Sequence, residues 1–86
     1  SLINTQIREV DIMQKLSELK AGTLGRICAI GGNAHFQSRI ASVGLTPGCT
    51  VEIVQNRKKR PMLLYVRNTL LAVNQQDCSL IEAEVK

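Results

Sequence analysis

The β-compatible segments of this sequence are all short, and residues that favour turns separate them. The runs rich in β-branched, aliphatic or aromatic residues are 25–30, 50–56, 62–67, 70–73 and 80–85. Five short strands at such close spacing predict a mainly β fold, either a small barrel or a rolled sheet. A chain of 86 residues has room for one modest hydrophobic core, so we expect one domain.

A single short helix is predicted after the first of these runs. Asn33 is a suitable N-cap residue, and Phe36, Ile40 and Val43 recur at i, i+4 and i+7. Gly44 follows at the position where a left-handed residue often ends a helix. We therefore expect the three apolar side chains of this helix to face a core shared with the strand residues Ile27, Val51, Ile53 and Val66.

A chain reversal is predicted directly after the helix. Proline fixes the first φ of a type II turn and glycine accepts the positive second φ, so Pro47 and Gly48 suit its two central positions. Gly44, Pro47 and Gly48 are thus assigned structural roles. Residues 1–12 fit neither the helical nor the strand period and are treated as an N-terminal extension, whose structure the pattern leaves open. The predicted domain covers residues 13–86.

The overall composition favours a folded cytoplasmic protein. Hydrophobic residues make up 44% of the chain and charged residues 21%, which is typical of globular proteins. No apolar run approaches the roughly 18 to 20 residues of a membrane span. The N-terminus also lacks the basic start and apolar stretch of a signal peptide.

Residues suited to catalysis or metal binding are few and scattered. His35 is the one histidine, and no acidic pair or nucleophile–base arrangement can be recognised, so we predict no catalytic residues and no enzyme activity. Cys28, Cys49 and Cys78 lack metal-site spacing and are interpreted as small reduced hydrophobes. We expect no cofactor and no tightly bound metal. A metal-sensing regulatory domain stays an alternative, which requires these three thiols and His35 to converge in space.

The positive charge is concentrated in one predicted hairpin loop. Of eleven basic residues, four are consecutive, and without them the chain has seven basic and seven acidic residues. These four are Arg57, Lys58, Lys59 and Arg60. Such a cluster could bind phosphates, so a nucleic-acid-binding barrel is a second alternative. Phe36 and Tyr65 are the only aromatic residues, however, and single-stranded nucleic-acid binders usually interleave stacking aromatics, so no nucleic-acid partner is expected.

Several segments of the sequence form a recognisable set, which includes residues 16–22 (LSELKAG), 39–48 (RIASVGLTPG) and 70–73 (LLAV). The most specific of them is the R-x-x-x-x-G-L-T-P-G block. This set resembles the FeoA family, the ferrous iron transport protein A domain. The resemblance covers about residues 13–85 and implies an SH3-like barrel. It further implies a small cytoplasmic accessory protein that acts with FeoB, the membrane ferrous-iron transporter, in bacterial iron uptake. Related domains occur in iron- or manganese-dependent repressors. The resemblance associates the chain with transition metal ion binding, but it does not imply that this chain itself binds iron.

The surface that contacts such a partner is predicted from the side chains that the fold does not need. Arg39 is expected on the outer face of the helix and Leu45 at the helix-to-turn corner, where together they would anchor the partner. The loop of Arg57, Lys58, Lys59 and Arg60 is expected to steer association electrostatically. The oligomeric state is left open.

Overall fold

The computed structural model describes residues 13–86, which form one antiparallel sheet and three short helical segments. The strands are β1 (Met13–Lys15), β2 (Leu24–Ile30), β3 (Thr50–Gln55), β4 (Met62–Val66), β5 (Thr69–Val73) and β6 (Ile81–Val85). The helices are a 3-10 turn (Leu16–Glu18), α1 (Ala34–Ser42) and α2 (Gln75–Cys78). The strand order in the sheet is β1-β6-β2-β3-β4-β5, and every neighbouring pair is antiparallel.

The predicted mainly β class with one short amphipathic helix is confirmed, but the strand count is six and not five. The additional strand is β1, which pairs with β6 from Met13↔Glu84 to Lys15↔Glu82. Three residues are too few for an alternating pattern to show, so only the pairing with β6 reveals this strand. Asn74 caps α2 by accepting a hydrogen bond from the backbone N–H of Asp77 at 2.7 Å. The predicted N-terminal extension, 1–12, lies outside the described residues.

Alternating side chains of the strands form one hydrophobic core together with α1. Its members are fully or almost fully buried: Leu16, Leu19, Ile27, Phe36, Ile40, Leu45, Val51, Ile53, Met62, Leu64, Val66, Val73, Cys78, Ile81 and Ala83. Six of the seven predicted core residues are in this group. The exception is Val43, which is 45% exposed.

Val43 is exposed because the helix ends before it. The last helical residue is Ser42, and Val43 is the C-cap with φ −90° and ψ 0°. The regular i+7 spacing that would bring Val43 over Phe36 therefore no longer applies. The prediction that Val43 packs in the core is wrong for this reason.

The hairpin between β4 and β5 is tight. Arg67 and Asn68 both have positive φ, 51° and 62°, as the two central residues of a type I′ turn require. The register runs without interruption from Met62↔Val73 to Val66↔Thr69.

Candidate partner-docking surface

The corner after α1 has a different exposed residue from the one predicted. The N–H of Gly44 donates to the carbonyl of Ala41 at 3.0 Å, and the N–H of Leu45 donates to that of Ile40 at 3.3 Å. With Gly44 at φ +102°, this pair of bonds is a Schellman motif. In that motif the residue after the glycine commonly packs back on the helix, and Leu45 is 0% exposed. The prediction that Leu45 is exposed is wrong, and Val43 is the exposed apolar residue of this corner.

The predicted turn at Pro47 and Gly48 is confirmed and is attached to the sheet. The N–H of Cys49 donates to the carbonyl of Thr46 at 3.1 Å, and Gly48 has φ +92°. Backbone bonds join Gly48 to the carbonyl of Ile27 at 2.7 Å and Ile27 to the carbonyl of Cys49 at 2.9 Å. The corner is therefore held rigidly against β2.

Arg39 is exposed as predicted, but it is not a free cation. Its guanidinium carbon lies 5.4 Å from the centroid of the Phe36 ring, and its Nη2 lies 3.3 Å from Oδ2 of Asp77. The Arg39 side chain is still 54% exposed, so the ion pair contributes little stability in water. Its effect is to orient the guanidinium between α1 and α2, where a partner can reach it.

The basic loop, Arg57 to Arg60, is exposed throughout and has a well-defined base. Its N–H at Arg60 donates to the carbonyl of Arg57 at 3.2 Å. The side-chain amide nitrogen of Gln75 lies within hydrogen-bonding distance of the carbonyl oxygens of Arg57, at 3.1 Å, and Arg60, at 3.2 Å. It also donates to the Asn56 side chain at 2.8 Å. The four cationic side chains therefore project from a fixed turn, although each side chain is solvated.

Asn56 connects this loop to the start of the domain. Its side-chain amide donates to the carbonyl oxygens of Ser17 at 2.9 Å and Leu19 at 2.7 Å. An open cleft of about 420 Å³ lies here, lined by Ser17, Asn56, Lys58, Lys59 and Gln75. Sequence reasoning missed this cleft, because the residues come from three segments that are far apart in the chain.

The positive charge of the described residues belongs to one continuous segment. Residues 53–76, from Ile53 within β3 through β5 to the start of α2, contain five basic residues and no carboxylate, whereas Glu52 directly precedes them in β3. The remaining described residues contain five basic and five acidic residues, and so are balanced. No described carboxylate lies in an ion pair with any cation of residues 53–76. Four of the five cations lie in the loop between β3 and β4, and the fifth, Arg67, lies in the turn between β4 and β5. These two connections are consequently electropositive, which favours acidic partners.

The cysteines and His35 are not brought together. Within the described part of the chain, no three side chains of His, Cys, Asp or Glu lie close enough to hold a metal ion. Cys78 is buried in the core, and this burial, with a smaller contribution from the charge of Asp77, raises its pKa to about 12. Cys28 and Cys49 are partly buried. The convergence that a metal-sensing site would need is absent from residues 13–86.

The comparison with protein families decides what kind of chain this is. The FeoA domain model matches residues 14–85, which is almost all of the described structure. The chain belongs to the FeoA family. Within residues 13–86 of this FeoA-family chain, no helix has the length and apolar composition needed to cross a membrane. A search of curated proteins found no match.

Solved structures support the same fold. The chain is similar to the crystal structure of an iron uptake regulatory protein (FeoA), with a TM-score of 0.83, 23% identity, and coverage of 86% of this chain and 99% of that one. It is also similar to iron(II) transport protein A from Clostridium thermocellum, with a TM-score of 0.77, 29% identity, and coverage of 84% and 45%. A manganese-dependent transcriptional repressor has a TM-score of 0.79 at 12% identity, with coverage of 86% and 42%, so this fold forms one part of a longer chain there. The predicted SH3-like fold is confirmed.

Proposed function

We propose that this FeoA-family chain is a non-catalytic accessory module of bacterial ferrous iron uptake, which works in the cytoplasm by contact with the FeoB membrane transporter. The observation that carries this proposal is the run of residues 53–76, which contains five cations, no carboxylate, and no ion pair with a described acidic residue. A rigid cationic surface is suited to docking on an acidic protein surface. The family assignment connects such docking to iron transport.

The contact surface that we propose combines the corner with the basic loop. Arg39 is oriented by Phe36 and Asp77, and Val43 lies one helical turn further on and is exposed. Arginine is among the residues most often found at the energetic centre of protein interfaces, and Val43 adds an exposed apolar contact beside Arg39. Val43 takes the role first given to Leu45, because Leu45 is buried. The cations of the loop accelerate encounter by long-range attraction.

The test is co-purification of the full chain with the transporter from detergent-solubilised membranes. We expect Arg39→Ala with Val43→Ser to abolish co-purification while the circular dichroism spectrum is unchanged. Neutralising Lys58, Lys59 and Arg60 to glutamine should slow association and reduce its dependence on salt. The matched control neutralises Lys15, Lys20 and Lys86 to glutamine, which removes the same charge from the balanced part of the chain.

Two results would contradict the proposal. If the unmodified chain does not co-purify with the transporter at physiological salt, the function is not accessory contact with FeoB. If the corner variant binds with full affinity and the loop variant does not bind, the loop is the anchor and the roles are reversed.

Nucleic-acid binding is the second candidate, and the cluster of cations in residues 53–76 is the observation that favours it. Tyr65 is the one aromatic residue in that segment, and its hydroxyl lies 3.2 Å from the side-chain oxygen of Asn68, in the turn between β4 and β5. A single aromatic offers little of the base stacking that single-strand binders use. Submicromolar affinity for DNA or RNA at physiological salt would favour this candidate over the transporter contact.

A further inference from the structure

In the described part of the chain, residues 13–86, the sheet has an open edge at β5. Among the described residues β5 pairs only with β4, and β1 is the strand at the opposite edge of the sheet. In a hairpin with a two-residue turn, the residues that flank the turn exchange both backbone hydrogen bonds, and the pattern then alternates. Thr69, Leu71 and Val73 therefore bond β4, whereas the N–H and C=O groups of Leu70 and Ala72 point away from the sheet. No described residue hydrogen-bonds these four groups.

This edge lacks the features that usually prevent strands from associating. Protected edges carry charged residues, proline or a bulge, or are very short. β5 is five residues long (TLLAV), has no charged residue and no proline, and its register with β4 has no bulge. Among residues 13–86 the opposite edge strand, β1, has three residues, one of which is Lys15. The contrast indicates that the β5 edge is kept available for pairing.

Exposed apolar side chains lie beside the open edge. Leu70 is 57% exposed and forms a cross-strand pair with Tyr65, which is 43% exposed. Ala72, two residues along β5, is also exposed and lies on the same outer face. An added strand would place alternate side chains against Leu70 and Ala72, and so would gain apolar contacts as well as backbone hydrogen bonds.

The charges around the edge determine which strand fits. Arg67 lies at the start of β5, and the basic loop of Arg57 to Arg60 lies next to its end, where Gln75 bonds the loop carbonyls. A second copy of this chain would bring the same five cations, none of which forms an ion pair with a described carboxylate, to the interface, and the repulsion disfavours pairing of β5 with β5. An extended segment with apolar residues at its centre and carboxylates at its ends satisfies both the strand and the charges.

We propose that the β5 edge binds an acidic, extended segment of a partner protein by strand addition, through the backbone of Leu70 and Ala72. This rests on the proposed function, since it specifies how the accessory module would hold its partner. It assigns the apolar contacts to Leu70 and Tyr65, and the ion pairs to Arg67 and the basic loop. A purely electrostatic contact would need none of the backbone groups.

A peptide-binding measurement on the full chain tests the strand addition directly. The probe is a nine-residue peptide in which three valines alternate with two threonines and two glutamates lie at each end. One control peptide has its five central amides N-methylated, and another has lysine in place of every glutamate. We expect measurable binding of the probe by isothermal titration or NMR, at least a tenfold loss with the methylated peptide, and loss of binding with the lysine peptide. Equal binding of the probe and the methylated peptide would overturn the proposal.

Variants of the chain locate the site. Ala72→Pro removes one outward N–H that no described residue bonds, and Leu70→Ser removes the apolar contact without changing the charge. Both should weaken probe binding at least tenfold. The matched control is Leu24→Ser, which changes a similarly exposed leucine on β2, three strands from the edge. If Leu24→Ser weakens binding as much as Leu70→Ser does, the peptide is not held at β5. Thermal melts confirm that each variant is folded.

Co-purification with the transporter separates the two proposals. If Ala72→Pro and Leu70→Ser abolish probe binding but still co-purify with the transporter at full yield, the strand addition is not the transporter contact and this inference fails while the proposed function stands. If the unmodified chain binds the probe in the expected way but never co-purifies with the transporter, the proposed function fails and the strand-addition site is kept.

Discussion

Replacing Leu45 with alanine tests the most consequential difference between the predicted and the observed corner. Leu45 has no exposed surface and folds back over α1 through the Schellman bonds, so its side chain is part of the core. Truncation of a fully buried leucine costs about 2–5 kcal/mol, because transfer free energy is lost and a cavity remains. A domain of this size has a total stability of only about 4–13 kcal/mol. We therefore expect the variant to be close to the limit of folding.

The assays are urea denaturation and a thermal melt, both followed by far-ultraviolet circular dichroism, since the chain has no tryptophan. Each kcal/mol lost should lower the melting temperature of such a small domain by about 4–8 °C. The matched control is Val43→Ala, two residues earlier, where the exposed side chain should change stability by no more than about 0.5 kcal/mol. If Val43→Ala destabilises the protein as much as Leu45→Ala, then Val43 is in the core after all and the observed helix end is incorrect.

Two further predictions concern the loop base and the buried thiol. Asn56→Ala removes the donors to the carbonyls of Ser17 and Leu19, and should cost about 2–4 kcal/mol in urea denaturation; a loss below about 0.5 kcal/mol would mean that these bonds do not hold the loop. Cys78, whose pKa is raised to about 12 by burial, should react with iodoacetamide at pH 8 only after denaturant is added. The pKa of the Cys78 thiol in the folded state lies above its ordinary value of 9.0, so the contribution of this thiol to stability is complete below pH 9. It is lost as the pH rises towards 12, by up to about 1.4 kcal/mol per pH unit. A Cys78→Ala variant with the same alkaline stability profile as the unmodified chain would contradict this.

The local signals in the sequence were sufficient for most of the fold. Asn33 caps α1 by accepting a hydrogen bond from the N–H of Phe36 at 2.8 Å, and Gly44 and Gly48 take the positive φ values that ended the predicted helix and formed the predicted turn. Caps and turns depend on a few consecutive residues, so their sequence signatures are reliable. The exposure of Leu45 was mispredicted, although the sequence contains a local signal for its burial. That signal is an apolar residue directly after a helix-ending glycine, which is typical of the Schellman motif.

Only part of the candidate site could be predicted from such local signals. Arg39 and the basic loop could be chosen from residue type and position, and the structure shows both exposed. The link from Arg39 to Asp77 and the support of the loop by Asn56 and Gln75 join residues that are 15 to 39 positions apart in the chain. No periodicity or motif encodes such pairings, since they depend on how the strands are arranged.

The sequence alone determined the β class, the helix, the turns and the concentration of charge in one segment, since each of these follows from neighbouring residues. The tertiary structure decided which strands are edges. Residues 70–73 have the same apolar character as the strands that are paired on both sides. Only the strand order leaves Leu70 and Ala72 with backbone groups that point away from the sheet. Strand pairing is set by contacts between distant parts of the chain, whose free energy belongs to the whole core and not to any one segment.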